Sequence, residues 1–474
     1  MAIRKTKVGI LTFSDGRKYI HDTLVELNQR YQDRLAKALE ATGLIEVVPG
    51  QQIIWTPEGA RTEGRRMQQC GVDMTIFNYA IWAFPHLSAI ATTFAPGPYL
   101  LFSNLHPSEP GMVAMLSSAG TMDQLGLTYT RMWGDIQEPA ILEKMVKYIR
   151  AAGSVAHLRG ETYGLFGGRP LGMYTAVANL DQWRSLFGLD VEHIEQYDIA
   201  RYSETIDAAR VDAGLRWLEK YVGEIKYDGK ALTPEKLKTQ IRSYHAVRQI
   251  MEEKQLDFVG FKAHGDLTDY FATMDIAEAF LNDPYDWEGP HEPIVAATEA
   301  DMDGALTMEI FKHLSGQTSL FADIRHYDAE DDVWYFANSG THATYFAARS
   351  MDPAENLKKV TFYPEIPDFP AGGASVQFFA GEGPMTMARL ARKKGQYWMA
   401  IVPAQFVEFS QEKMVAKAKT TDIEWPHAFA RLQVPPEVFL ATYPCNHIHG
   451  ITGNWVEELK YVAEILGIES KVYA

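Results

Sequence analysis

Residues 293–327, PIVAATEADMDGALTMEIFKHLSGQTSLFADIRHY, place two carboxylates where they could do chemistry. Glu299 closes the apolar run IVAAT, and Asp323 closes SLFA. Between them Leu306, Ile310 and Leu314 recur at helical spacing, which predicts a helix over residues 303–314. A strand–helix–strand unit brings both strand ends to one edge of a parallel sheet, the edge where open α/β sheets bind ligands. Glu299 and Asp323 are then expected side by side despite their separation in sequence. Two carboxylates so placed hold a hard divalent cation, work as an acid/base pair, or do both. The competing reading is helix capping or pairing with basic residues, and Asp301 and Asp303 stand where a cap belongs.

Histidine is the natural third ligand for a metal held by two carboxylates. The segment Cys445-Asn-His-Ile-His-Gly450 is the richest source. On a strand His447 and His449 share a face, and Asn446 adds a polar group beside them. His342, in NSGTHATYF, and His326 are further candidates. Oxygen-dominated ligation favours a Mn²⁺- or Mg²⁺-type ion, with Cys445 merely packed. Trp82 and Trp425 offer flat apolar faces of the kind that stack on sugar rings, although single tryptophans are more often core. Arg17, at the end of the first strand, either holds a substrate group or pairs with Asp15.

Behind these residues stands a chain of 474 residues, too long for one ordinary core. Its composition is that of a globular protein, with 46% hydrophobic and 22% charged residues. A net charge of −16 argues against nucleic acid or an anionic membrane as partner. Two cysteines, Cys70 and Cys445, make no disulfide framework and suit a reducing, cytoplasmic setting. The apolar stretch after the basic N-terminus falls short of the about 7–15 residues of a secretory core, and VGILTF is read as the first buried strand. No apolar run approaches the roughly 18 residues of a membrane span.

The positioning elements fall into three expected regions. Residues 1–153 alternate buried strands (KVGILTF, IEVVP, DMTIFNYAI, PYLLFSN) with helices over 21–42 and 139–151, and Gly153 marks a boundary. Residues 154–315 form a second α/β region that carries Glu299. Its FGGRP stretch is read as a strand-to-helix turn, because the dinucleotide glycine spacing is absent. Residues 316–474 carry Asp323 and His447 in short alternating segments, which predicts a β-rich, barrel-like domain closed by a helix over 454–466. The fold class is thus α/β: two doubly wound parallel-sheet domains followed by a β-rich one.

Several of these strings, in this order, resemble the L-fucose isomerase family within the larger group that includes L-arabinose isomerases. They are AEAFLNDPYDWEGPHEPIVAATEAD, FADIRHY, NSG at 338–340, GEGPMTMARL at 381–390 and NHIHGITGNWVEELKYVAEILGI at 446–468. Weaker matches at SDGR, Trp82 and FGGRPLGM extend the resemblance over nearly the whole chain. It implies a metal-dependent aldose–ketose isomerase, with Mn²⁺ or another divalent ion such as Mg²⁺ or Co²⁺. Family motifs fall on Glu299, Asp323 and His447 as metal ligands, with the two carboxylates also catalytic. Substrate-contacting positions fall on Arg17, Trp82, Trp425 and Asn446, and His342 has a counterpart in the arabinose branch. The resemblance also implies a homo-oligomer of hexameric order, in which Trp82 reaches a neighbour's site. Two departures concern the substrate: His264 stands for a family glutamine, and Ala374 for a tyrosine. The chain is also shorter than the long-form members. Alternatives are an isomerase of another sugar, L-arabinose-like or an anionic derivative gripped by Arg17 or Lys262, and a non-catalytic sugar-binding protein.

Overall fold

A computed structural model describes residues 4–339, 342–365 and 369–474; Gly340 of the NSG motif lies outside the described residues. The chain divides into two compact units, residues 4–157 with 457–467, and residues 158–456 with 468–474. Among the described residues no helix is long and apolar enough to cross a membrane. Cys70 and Cys445 are both free thiols.

The N-terminal unit is a five-stranded parallel sheet. Its strands Thr6–Thr12, Ile45–Pro49, Met74–Tyr79, Tyr99–Ser103 and Tyr129–Trp133 lie in the spatial order second, first, third, fourth, fifth. Met74–Tyr79 is buried at every residue, as a central strand covered by helices on both faces requires. The helix Pro57–Gln69 starts with proline in its first turn and Thr56 Oγ1 accepting the Gly59 N–H at 3.1 Å. Gly153 lies within the helix Pro139–His157, not at a linker. A Cβ there would come within 2.0 Å of Thr6 Oγ1, so glycine permits the helix to press on the first strand. The helix Val456–Leu466, expected to close the β-rich region, packs on this N-terminal core instead. Tyr461 meets Tyr148 edge-on at 5.4 Å, and Thr130 donates to Glu464 at 2.5 Å.

The second unit contains two sheets that matter for the site. One is parallel, in the order Ala296–Ala297, Phe258–Phe261, Thr162–Phe166, Asp190–Ile194. The other is a ring of six antiparallel strands. Gly383–Lys393 pairs with His447–Thr452, then come Leu320–Asp328, Val333–Ala337, His427–Leu432 and Gln396–Phe406, which returns to Gly383–Lys393. Glu469–Val472 adds in parallel to Gln396–Phe406, so the ring is not a regular barrel.

The strand–helix–strand expectation needs correcting here. The helix exists, as Met302–Ser315, but the strands on its two sides belong to different sheets. Ala296–Ala297 joins the parallel sheet, whereas Leu320–Asp328 finds both partners among antiparallel strands. Non-local pairing decides sheet membership, and adjacency in sequence does not.

Candidate active site

Register builds the first half of the site. In the antiparallel pair Leu320–Asp328 with His447–Thr452, Asp323 lies opposite His447 and Phe321 opposite His449. Directly opposed residues share a face with Cβ atoms about 4.5–5.5 Å apart, so pairing alone delivers a carboxylate to an imidazole. Phe321 packs its ring against both histidines, tilted to His447 at 4.8 Å and edge-on to His449 at 4.7 Å. Two amides hold the Asp323 carboxylate: Asn446 donates to Oδ1 at 2.9 Å and Asn338 to Oδ2 at 2.7 Å. Burial raises the Asp323 pKa, with His447 opposing and Glu299 reinforcing the rise.

Glu299 arrives from the other sheet. It follows Ala296–Ala297 in a tight turn, with φ +53° at Glu299 and +46° at Ala300. Two successive non-glycine residues in the left-handed region carry backbone strain, which persists where surrounding structure imposes it. The turn aims the carboxylate at His447, whose Nε2 lies 2.8 Å from Glu299 Oε2 and 3.6 Å from Asp323 Oδ1. His264 Nε2 lies 3.4 Å from Glu299 Oε1, so this departure from the family touches a candidate catalytic group directly. Burial by itself would raise the Glu299 pKa, but His264 and His447 outweigh it and hold it near about 2.

Behind His447 stands a fully buried support. Its Nδ1 meets Asp301 Oδ2 at 2.6 Å, and a carboxylate only accepts, so Nδ1 carries the proton and Nε2 faces Glu299 and Asp323. Asp301 also caps the Met302–Ser315 helix, accepting from Gly304 N at 3.0 Å. Arg389 binds both its oxygens, at 2.6 Å and 3.0 Å, and reaches His449 Nε2 at 3.0 Å. Gly304 gives this layer room, since a Cβ there would lie 2.7 Å from His449 and 2.8 Å from Asp301. Burial opposes the charged His447, but with no cation bound the Asp301 and Glu299 carboxylates lift its pKa to about 10, so a metal ion at Nε2 would displace a proton. His449, buried beside the Arg389 cation, is held well below the usual imidazole range.

Sequence reasoning treated Asp301 only as a cap and assigned Arg389 no role. An arginine inside the apolar strand run MTMARLA was the available signal, because a buried guanidinium requires a buried counter-ion.

The remaining candidates are distributed as follows. Asn446 touches Asp323, as described. Trp425 donates Nε1–H to Glu365 at 3.0 Å beneath the Arg325 guanidinium. His342 is completely buried. Burial first, then His427, lower its pKa to about 3, and among the described residues no hydrogen bond or ion pair joins it to Glu299, Asp323 or His447. Ala374 is buried, its backbone bracketed by Gln240. Arg17 and Trp82 belong to the N-terminal unit, where they follow the first and third strands on either side of its topological switch point. Arg17 is chelated by Asp15, through N at 2.8 Å, Nε at 2.9 Å and Nη2 at 2.6 Å, which is the pairing alternative weighed above.

The donor types at His447 are those that a divalent cation takes. His447 Nε2 is fully buried and makes no aligned hydrogen bond, although two carboxylates approach it. One imidazole nitrogen plus two carboxylates is a ligand set that Mn²⁺-type ions accept, and the Asp301 contact to the far ring nitrogen is the usual orienting interaction.

Comparison with known proteins extends this picture over all three regions. Residues 5–160 match the first N-terminal domain of L-fucose isomerase, residues 251–316 the second N-terminal domain, and residues 336–473 the C-terminal domain. A protein named L-fucose isomerase from Bacteroides fragilis (strain YCH46) is 25% identical over 500 residues, covering 89% of this chain and 84% of its own. One from Escherichia coli O9:H4 (strain HS) is 23% identical over 530 residues, covering 95% and 88%. One from Haemophilus influenzae (strain PittEE) is 24% identical over 461 residues, covering 82% and 78%. Fold, site and relatives together define an enzyme of the aldose–ketose isomerase class. Within that class, the chain belongs to the L-fucose isomerase family.

Proposed function

We propose that this enzyme is a divalent-metal-dependent isomerase that interconverts an open-chain aldose and its ketose through a cis-enediol, with L-fucose and D-arabinose as the model substrates. The convergence of Glu299 and Asp323 on His447 Nε2 carries the reading. Glu299, Asp323 and His447 would hold the cation, with Mn²⁺ the first choice. Bound there, it supplies Lewis-acid polarisation of the sugar's carbonyl and hydroxyl oxygens. One carboxylate would take a proton from C2 or C1, and the other, protonated at that stage, would give one to the neighbouring carbon. A proton passes between O2 and O1, so that none is gained or lost overall. Asn338 and Asn446 hold the Asp323 oxygens in place, and His264 orients Glu299.

A neutral sugar is favoured over an anionic one. The two cations considered for an acid substituent already have partners, Arg17 in Asp15 and Lys262 in Asp266 at 2.9 Å. We further propose a homo-oligomer of hexameric order, with Trp82 serving a neighbouring subunit. Light scattering on the purified protein would give the mass that tests it.

Dialysis against a chelator is expected to reduce ketose formation to background, and Mn²⁺ add-back to restore it. Full activity in a protein shown by elemental analysis to be metal-free would overturn the assignment. A non-catalytic sugar binder would form no ketose with or without metal. In a panel of aldoses, His264→Gln is expected to reorder the substrate ranking while metal content stays constant. An unchanged ranking counts against a substrate role for His264.

A further inference from the structure

The Met302–Ser315 helix starts at the candidate active site and ends at a second cluster of ligand-type side chains. From Asp301 to His313 the helix axis spans about 18 Å at 1.5 Å per residue. Glu309 and His313 are four residues apart and therefore share a face. They meet Glu161, which immediately precedes the strand Thr162–Phe166. This is the N-terminal edge of the parallel sheet, whereas Glu299 and His264 follow the C-terminal ends of its strands.

His313 Nε2 lies 2.8 Å from Glu161 Oε1 and 3.3 Å from Glu309 Oε1. One donor atom from each of the three residues falls within 4.8 Å of the others. The arrangement repeats the donor chemistry at His447, an imidazole nitrogen approached by two carboxylates. Glu309 is wholly buried, and neither of its oxygens receives a hydrogen bond of regular geometry. Lys312 contacts Oε1 as an ion pair, which leaves Oε2 without a donor. Lys312 also feels Glu161 and the exposed Asp257. Burial raises the Glu309 pKa despite Lys312 and His313. A divalent cation would take the place that the Lys312 ammonium holds beside Glu309 Oε1.

We propose that Glu161, Glu309 and His313 form a second, structural site for a divalent cation of the Zn²⁺ or Mn²⁺ type. An imidazole with two carboxylates is the ligand set such ions share. The ion would tie the end of the Met302–Ser315 helix to the start of a sheet strand, bracing the element that carries Asp301 at its other end.

The test uses the full-length protein, stripped with a chelator, reloaded with Mn²⁺ or Zn²⁺, desalted and analysed for metal per chain. The wild type is expected to retain about two ions per chain, and the double variant Glu299→Gln/His447→Asn about one. Adding Glu309→Gln to that double variant should remove the last ion and abolish the rise in thermal midpoint on metal addition. Glu161→Gln, a milder change at the rim of the cluster, serves if Glu309→Gln does not fold. The inference is overturned if the Glu299→Gln/His447→Asn protein retains no ion, or if Glu161→Gln leaves its metal content and affinity unchanged. A single wild-type ion lost in Glu161→Gln but kept in Glu299→Gln/His447→Asn would uphold this site and remove the catalytic-metal reading instead.

Discussion

Glu299→Gln is expected to lower kcat by about a thousandfold or more, in line with the loss of a positioned acid/base group. Loss of one ligand carboxylate adds to that effect. Stability should fall only modestly, by the loss of the ion pairs with His447 and His264 that hold the Glu299 pKa at about 2. Glutamine has nearly the same shape, and it inherits rather than creates the left-handed backbone at position 299. The turn is imposed by the sheet on one side and the capped helix on the other, and neither depends on the carboxylate charge. The measurement pairs steady-state turnover with a thermal melt of the same preparation. Turnover close to wild type in a folded variant would sink the assignment. A large fall in stability would instead mean that the carboxylate is structural.

Arg389→Met should cost about 3–5 kcal/mol of stability, the usual penalty for removing one member of a buried ion pair. Arg389 is 1% exposed, and it satisfies both oxygens of Asp301. Without it Asp301 keeps only His447 and the Gly304 amide as partners among the contacts described, so its charge is undercompensated. Asp301 in turn fixes the ring of His447, and loss of such an orienting partner weakens metal binding by about 10–100-fold. Denaturant unfolding and a metal titration therefore should both move. Adding Asp301→Asn to Arg389→Met removes the stranded charge and is expected to recover part of the stability but not the metal affinity, because the amide holds the imidazole less firmly. Unchanged metal affinity in Arg389→Met would show that this layer supports packing alone.

The candidate site was partly legible in the sequence. Glu299 and Asp323 could be picked out because a carboxylate that ends an apolar strand run is displayed at a sheet edge. His447 emerged with a second histidine two residues on, and only the ordered motifs separated it from His449. The structure gives the two rings different surroundings: His447 faces the carboxylates, and His449 faces Arg389. Asn338 and Asp301 were in view, one inside a quoted motif and the other as a helix cap. Their contacts to Asp323 and His447 were not, because such contacts depend on how distant strands pair. The Glu309–His313 pair was written in the helix at spacing four, but its third member, Glu161, comes from a remote strand start.

What the sequence determined by itself was local and compositional. Apolar periodicity located the helix after Glu299, and the alternating texture beyond Gly316 marked the β-rich region. Ordered motifs indicated the isomerase family and nominated two carboxylates and an imidazole. The tertiary structure decided the geometry. It assigned the strand Ala296–Ala297 and the strand of Asp323 to different sheets, set Asp323 opposite His447, and buried Arg389 against Asp301. It also packed the Val456–Leu466 helix on the N-terminal core. The physical reason is that apolar patterning specifies which face of an element is buried. Partner and register follow from non-local pairing, which many apolar faces satisfy equally well until the whole chain is packed.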